Sequence, residues 1–296
     1  MFYEYAVDPA VLSNWKDARY FLDAFGPWKG KFIAAYPSDW HRLVVEGLNC
    51  GDVEKLRIVE KLHQSDTRIF VPRKNATYDV KLKWLPNAKA VHATIPFHLV
   101  ITMDESSPEN NIADSVTLDE RHELWLVHTG KYIARDPTRL AQEVRFLLQV
   151  SSKVVIIDPY FRADQDQHTQ PIKKICEILP PHIRSLDIHC ADHQLSYNEC
   201  IRVAKRALPN IIPGGKSVRV ICWTERTGGA RLHNRFLLTD IAGIKFGDSI
   251  EQGDAGQQDH LNIMDEPSRA QCWSEYVDPG NAFAAAGAPV EINGRR

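Results

Sequence analysis

Three apolar segments, KVVIIDPYF at 153–161, SLDIHCAD at 185–192 and SVRVICWTE at 217–225, are separated by two stretches of helical periodicity, QPIKKICEIL and YNECIRVAKRAL. Nothing else in the chain limits its fold as tightly. The first segment is apolar almost throughout, as a strand covered on both faces must be. A strand–helix–strand–helix–strand order demands parallel pairing through right-handed crossovers. The expected class is therefore α/β, with a mixed sheet flanked by helices in the C-terminal part. The mixture comes from a following hairpin, RLHNRFLLTD (231–240) and GIKFGD (243–248).

Upstream, RDPTRLAQEVRFLLQVS reads as a helix capped by Asp136, with Pro137 in its first turn and Leu140, Val144, Leu147 and Leu148 as its apolar stripe. This helix is taken to open the second domain, giving units 1–138 and 139–296. In the first unit, helices are expected after Asp8 and Ser38 and across 52–63. The alternation of Tyr78, Val80, Leu82 and Trp84 predicts a strand. ATIPFHLVITM (93–103) and ELWLV (123–127) also read as strands, with a polar surface loop at 104–115 between them. That order suggests an N-terminal α+β domain to which the sequence assigns no role; on a scaffold reading it would dock a protein partner.

Charge excludes one class of behaviour. Lys and Arg number 36 against 38 Asp and Glu, so the net charge is −2 and no global field draws the protein to nucleic acid or membrane. A local patch must hold any anion. Lys216, Arg219, Arg226, Arg231, Arg235 and Lys245 surround the hairpin, and the ERTGGAR loop could lay Arg226 and Arg231 along a phosphate backbone. No apolar run approaches the ~18 residues of a membrane span, and the N-terminus has no signal pattern, so a membrane partner is not expected and a cytoplasmic location is. The six cysteines form no CxxC pair, and Cys190 and Cys222 read as buried reduced thiols. DIHCADH (187–193) groups His189, Cys190, Asp192 and His193, but His189 and Cys190 alternate across a strand and cannot both ligate one ion, so these histidines read as structural.

In a strand, residues two apart share a face, which places His233 beside Arg235, with Asp240 at the turn and Lys245 and Gly247 returning on the partner strand. An imidazole with fixed cations and a carboxylate suits chemistry at a phosphodiester. The imidazole supplies nucleophile or proton donor near neutral pH, and a guanidinium holds phosphoryl oxygens. LHNRFLLTD followed by GDS resembles the HxKxxxxD motif of the phospholipase D superfamily, with Arg235 where the family has lysine and Ser249 one residue later than the usual serine. The preceding IIDPYF and RVICWTE occupy the places of the family's strands, so the resemblance spans about 140–280.

The resemblance implies a metal-independent phosphodiesterase, a nuclease rather than a lipase, with no cofactor. His233 would be nucleophile and acid, Arg235 the phosphate ligand and Asp240 the group that orients the imidazole. Lys245, Gly247, Ser249, Arg231 and Arg226 would contact substrate, Glu251 or Asp259 could contact the histidine, and Tyr160 is placed near the site by the rule that open α/β sheets bind ligands at strand carboxyl ends. Family members use two copies of the motif. This chain has one, since HTGKYIARD and HLVITMD do not match, so the resemblance implies a homodimer. Family habit adds a role in restriction or antiviral defence. The alternative is an inactive module of the same fold that binds a phosphorylated lipid, nucleic acid or a protein partner.

Overall fold

The computed structural model describes residues 1–296 except 74–75, 105–106, 108–110, 279 and 281. The chain divides into two compact units, Met1–His128 and Thr129–Arg296.

The N-terminal unit is built on five strands: β1 (Tyr3–Val7), β2 (Lys31–Ala35), β3 (Phe70–Pro72), β4 (Leu99–Thr102) and β5 (Ile112–Asp114). Their order is β3-β2-β1-β4-β5 and every pairing is parallel. Its helices are α1 (Trp15–Ala24), α2 (Trp40–Glu46), α3 (Asp52–Gln64) and α4 (Trp84–Thr94). Strand alternation divides the core into two layers. Tyr5, Val7, Ile33, Leu99 and Ile101 pack with Phe21, Trp40 and Trp125. Ala6, Ala34 and Val100 pack with Trp84, Leu85, Ala88 and Val91 on the other face.

The unit is thus α/β rather than α+β, and several expectations for it fail for physical reasons. Residues 78–83 form no strand. Val80 and Leu82 are exposed and Trp84 instead opens α4, while Asn87 ties the segment to the helix by accepting from Asp79 N and donating to Asp79 O. ELWLV is a turn whose Trp125 meets the rings of Tyr5, Phe21 and Phe25 edge-on. The segment after Asp8 forms a single 3-10 turn, and α1 starts afresh at Trp15 with Asn14 accepting from Asp17 N at 3.1 Å. The polar stretch 104–115 lies partly outside the described residues, and its last residues are β5.

The C-terminal unit follows the expected order closely. It comprises β6 (Gly130–Ala134), α5 (Pro137–Val150), β7 (Val154–Ile157), α6 (Asp166–Ile178), β8 (Ser185–Ala191), α7 (Tyr197–Ala207) and β9 (Ser217–Thr224). It then continues through β10 (Arg235–Thr239), β11 (Gly243–Phe246), β12 (Gln258–Ile263), α8 (Glu266–Tyr276), β13 (Ala284–Ala285) and β14 (Val290–Asn293). The nine-stranded sheet runs β13-β9-β8-β7-β10-β11-β12-β6, and β14 also pairs with β9. β7, β8 and β9 are parallel, and the hairpin β10–β11 joins β7 antiparallel. The mixed α/β sheet is therefore as expected. The boundary falls at 128/129 rather than 138, because β6 pairs with β12 from Asn262↔Gly130 to Gln258↔Ala134 and so belongs to this sheet.

Candidate functional site

The carboxyl ends of parallel strands are where open α/β sheets place ligands. At that end of β7, β8 and β9 lies an open cleft of ≈ 640 Å³ lined by residues that include Tyr160, Asp192, His193, Thr224, Arg231 and His233. Each arrives there through the local chain. β7 ends at Ile157, Asp158 turns the chain by accepting from Tyr160 N at 3.0 Å, and Tyr160 is thrown toward the motif. β8 leads into Asp192 and His193, and Asp192 accepts from the Thr224 hydroxyl at the end of β9. Glu225 accepts from Leu232 N at 2.8 Å, pinning the 226–231 loop so that His233 enters the cleft just before β10 begins. Gly228, at φ 71°, takes the left-handed turn within that loop.

Tyr160 organises the site. Its hydroxyl lies 3.0 Å from His233 Nδ1, and the Arg235 guanidinium sits 4.5 Å over its ring. Arg235 also donates to the His233 carbonyl at 3.3 Å, while its buried Nε has no partner among the described residues. His193 meets Tyr160 edge-on, with ring centroids 5.2 Å apart, so two exposed imidazoles flank one phenol. The hydroxyl sets what His233 can do. If Nδ1–H donates to it, Nε2 keeps a lone pair for attack; if Nδ1 accepts from it, Nε2–H is a proton donor.

The remaining expected residues divide between elements. Asp240 does not orient the imidazole. It closes the other end of β10, accepting from Ser152 N at 2.9 Å, Ser152 Oγ at 2.6 Å and Lys153 N at 3.1 Å. Lys245 pairs with Phe236, and alternation therefore puts it on the face opposite Arg235. There it lines a second cleft with Asn234, Phe236, Asn262 and Tyr276. Gly247 N donates to His260 O at 3.0 Å, and Ser249 Oγ accepts from Glu251 N at 3.1 Å, which are turn contacts. Arg231 is exposed on the rim of both clefts, and Arg226 donates to Phe283 O at 3.2 Å. Lys216 donates to the carbonyls of Pro180 and Ile183, and Arg219 pairs with Asp187, so these two leave the basic set at the cleft.

Glu251 and Asp259 meet other partners than His233. Glu251 lies 3.3 Å from His168 Nε2 and pairs with Arg135, while Asp259 accepts from Asp248 N and His260 N. His168 on α6 and the buried Asp158 form a polar cluster that the sequence did not announce. Burial pushes the His168 pKa down and the Asp158 pKa up, and each favours the uncharged form. His193, read from the sequence as structural, is the other residue missed. Its signal was its position just past an apolar strand. His189 alternates with Cys190 and is buried, its Nδ1 accepting from Trp223 Nε1 at 3.0 Å.

No family model matches the chain, and no curated protein matches it. Among solved structures, one titled as that of TrmBL2, an archaeal chromatin protein showing a novel mode of DNA binding, aligns at 11% identity with a TM-score of 0.29. The alignment covers 58% of each chain, a likeness too slight to support any conclusion on fold or function. Among the described residues, no helix is long and apolar enough to cross a membrane.

Proposed function

We propose that the C-terminal unit is a metal-independent phosphodiesterase, acting on nucleic acid, with His233 as nucleophile. What supports this reading is the Tyr160–His233–Arg235 grouping at the mouth of an open cleft. Nε2 of His233 attacks phosphorus and the bond to the leaving oxygen breaks as a proton reaches that oxygen. Water then attacks the phosphohistidine, giving its proton to the group that had acted as acid, and the imidazole is released. Arg235 offsets charge on the phosphoryl oxygens. Arg231, exposed at the rim, favours a polyanionic backbone over a small ester.

The leaving-group acid has two readings. The presence of His193 in the same cleft favours a proton donor from the same chain. The single copy of the motif favours His233 of a second copy across a two-fold axis, making the active form a homodimer.

The test is cleavage of single- and double-stranded DNA and RNA by the full chain in EDTA. His233→Ala should remove cleavage while the fold persists, and labelled substrate should trap a covalent adduct on His233. Cleavage that requires divalent metal, or survives His233→Ala, overturns the proposal. Salt-sensitive binding that yields no product under any condition replaces it with the binding module. Loss of turnover in His193→Ala with a monomeric mass assigns the acid to His193. Retention of turnover with a dimeric mass assigns it to the second copy.

A further inference from the structure

Behind the cleft wall, three thiols meet. Cys190 on β8 and Cys222 on β9 are direct partners in register, and Cys200 reaches them from the first turns of α7. Their sulfurs are 3.3 Å (Cys190–Cys222), 3.3 Å (Cys200–Cys222) and 3.6 Å (Cys190–Cys200) apart, and all three residues are buried. None of the three is in a disulfide. Among the described residues no histidine, aspartate or glutamate joins the group within the same reach. We propose that Cys190, Cys200 and Cys222 form a three-coordinate thiolate site for a trivalent thiophilic ion.

Coordination number carries the first step. A structural zinc site takes four ligands in a tetrahedron, and this group offers three. Edge length carries the second. With metal–sulfur bonds of ~2.3 Å, tetrahedral ligands stand ~3.8 Å apart and trigonal-planar ones ~4.0 Å apart. The observed edges are shorter, and at the same bond length they correspond to angles of roughly 90–105°. An ion seated there without moving the sulfurs would meet a pyramid, which suits one carrying a lone pair.

Charge carries the third step. All three thiols are buried, so any net charge left on the site is costly. Three thiolates around a monovalent or divalent ion would leave net negative charge in a buried pocket, whereas a trivalent ion leaves none. With arsenous acid as the ligand the exchange balances without oxidation. Three arsenic–oxygen bonds break and three arsenic–sulfur bonds form, and each thiol proton leaves with a hydroxide as water.

The experiment uses the full chain, reduced with a phosphine rather than a dithiol, and titrated with arsenous acid or with zinc. One arsenic per chain is expected, with three sulfur neighbours in X-ray absorption and three fewer alkylatable thiols by intact mass. Cys200→Ser should weaken binding about tenfold or more, and Cys50→Ser should leave it unchanged. If the Cys200 variant does not fold, the absorption spectrum and thiol count of the unaltered chain decide alone. A coordination number other than three sulfurs, zinc binding as tight as arsenic, or equal arsenic uptake by both variants overturns the proposal. None of these readouts depends on cleavage.

Discussion

Replacing Asp240 by alanine separates a role in holding the sheet from a role in holding the imidazole. The carboxylate accepts three hydrogen bonds, from Ser152 N, Ser152 Oγ and Lys153 N, and so fastens the end of β10 to the residues that enter β7. A hydrogen bond to a charged acceptor contributes about 1.5–3 kcal/mol when sheltered. Asp240 is half-buried and Ser152 is exposed, so water replaces much of each contact. Discounted for that screening, three bonds together come to about 2 kcal/mol. In a unit of this size that corresponds to a fall of about 4–8 °C in Tm. Calorimetry of the full chain reads the fall, and hydrogen exchange reads its place, since the amides of Ser152 and Lys153 should exchange faster. The ring resonances of His233 should not move. An unchanged melting temperature and exchange pattern, together with displaced His233 resonances, would restore Asp240 to the imidazole and refute this assignment.

Tyr160→Phe keeps the ring under Arg235 and removes the hydroxyl 3.0 Å from His233 Nδ1, so the proposed turnover should fall about 10–100-fold with KM little changed; equal turnover would show that the hydroxyl sets no tautomer. His189 is buried with its pKa driven down to about 3, chiefly by burial, against an ordinary 6.5. The unfolded chain therefore takes up a proton that the folded chain refuses. Stability on this account is complete above about pH 6.5 and is lost as pH falls toward 3, by a few kcal/mol in order of magnitude. His189→Gln keeps an acceptor for Trp223 Nε1 and should flatten that limb in urea titrations at several pH values. Gly247→Ala would set a Cβ 2.9 Å from Asp259 Oδ1 and 3.2 Å from His260 O. That oxygen is held by two backbone N–H groups, so a loss of about 1–3 kcal/mol in denaturant unfolding is expected.

The C-terminal sheet was legible because its signals were local and mutually consistent. Apolar strands alternated with segments of helical periodicity, and the hairpin carried its own turn. The N-terminal sheet was hidden by its aromatic residues rather than by strand length, since β7 and β11 are no longer than β1 or β2. β1 and β2 span five residues each and are flanked by aromatic residues that suit a helix core equally well. At the site, Tyr160 was legible from the rule that ligands meet strand ends. The side of Lys245 was not, because it depends on which residue of β11 stands opposite Phe236, and a shift of one residue reverses every side chain. Asp240 misled for a related reason. Five residues of extended strand separate its end from that of His233, so closeness in the motif is distance in the fold.

The same geometry shows why the thiol triad and the cleft occur together. Parallel β8 and β9 in register bring Cys190 beside Cys222, and one step of alternation further brings Asp192 to Thr224 on the same face. α7 packs behind that face and carries Cys200, while the turn leading to it carries His193 into the cleft. An ion that bonded all three sulfurs would fix α7 to both strands, and with it the turn that presents His193. If His193 supplies the leaving-group proton, arsenous acid should alter turnover in the unaltered chain but not in Cys200→Ser, with His233→Ala inactive in either case. Identical turnover with and without arsenic, in chains shown to hold it, would separate the two sites.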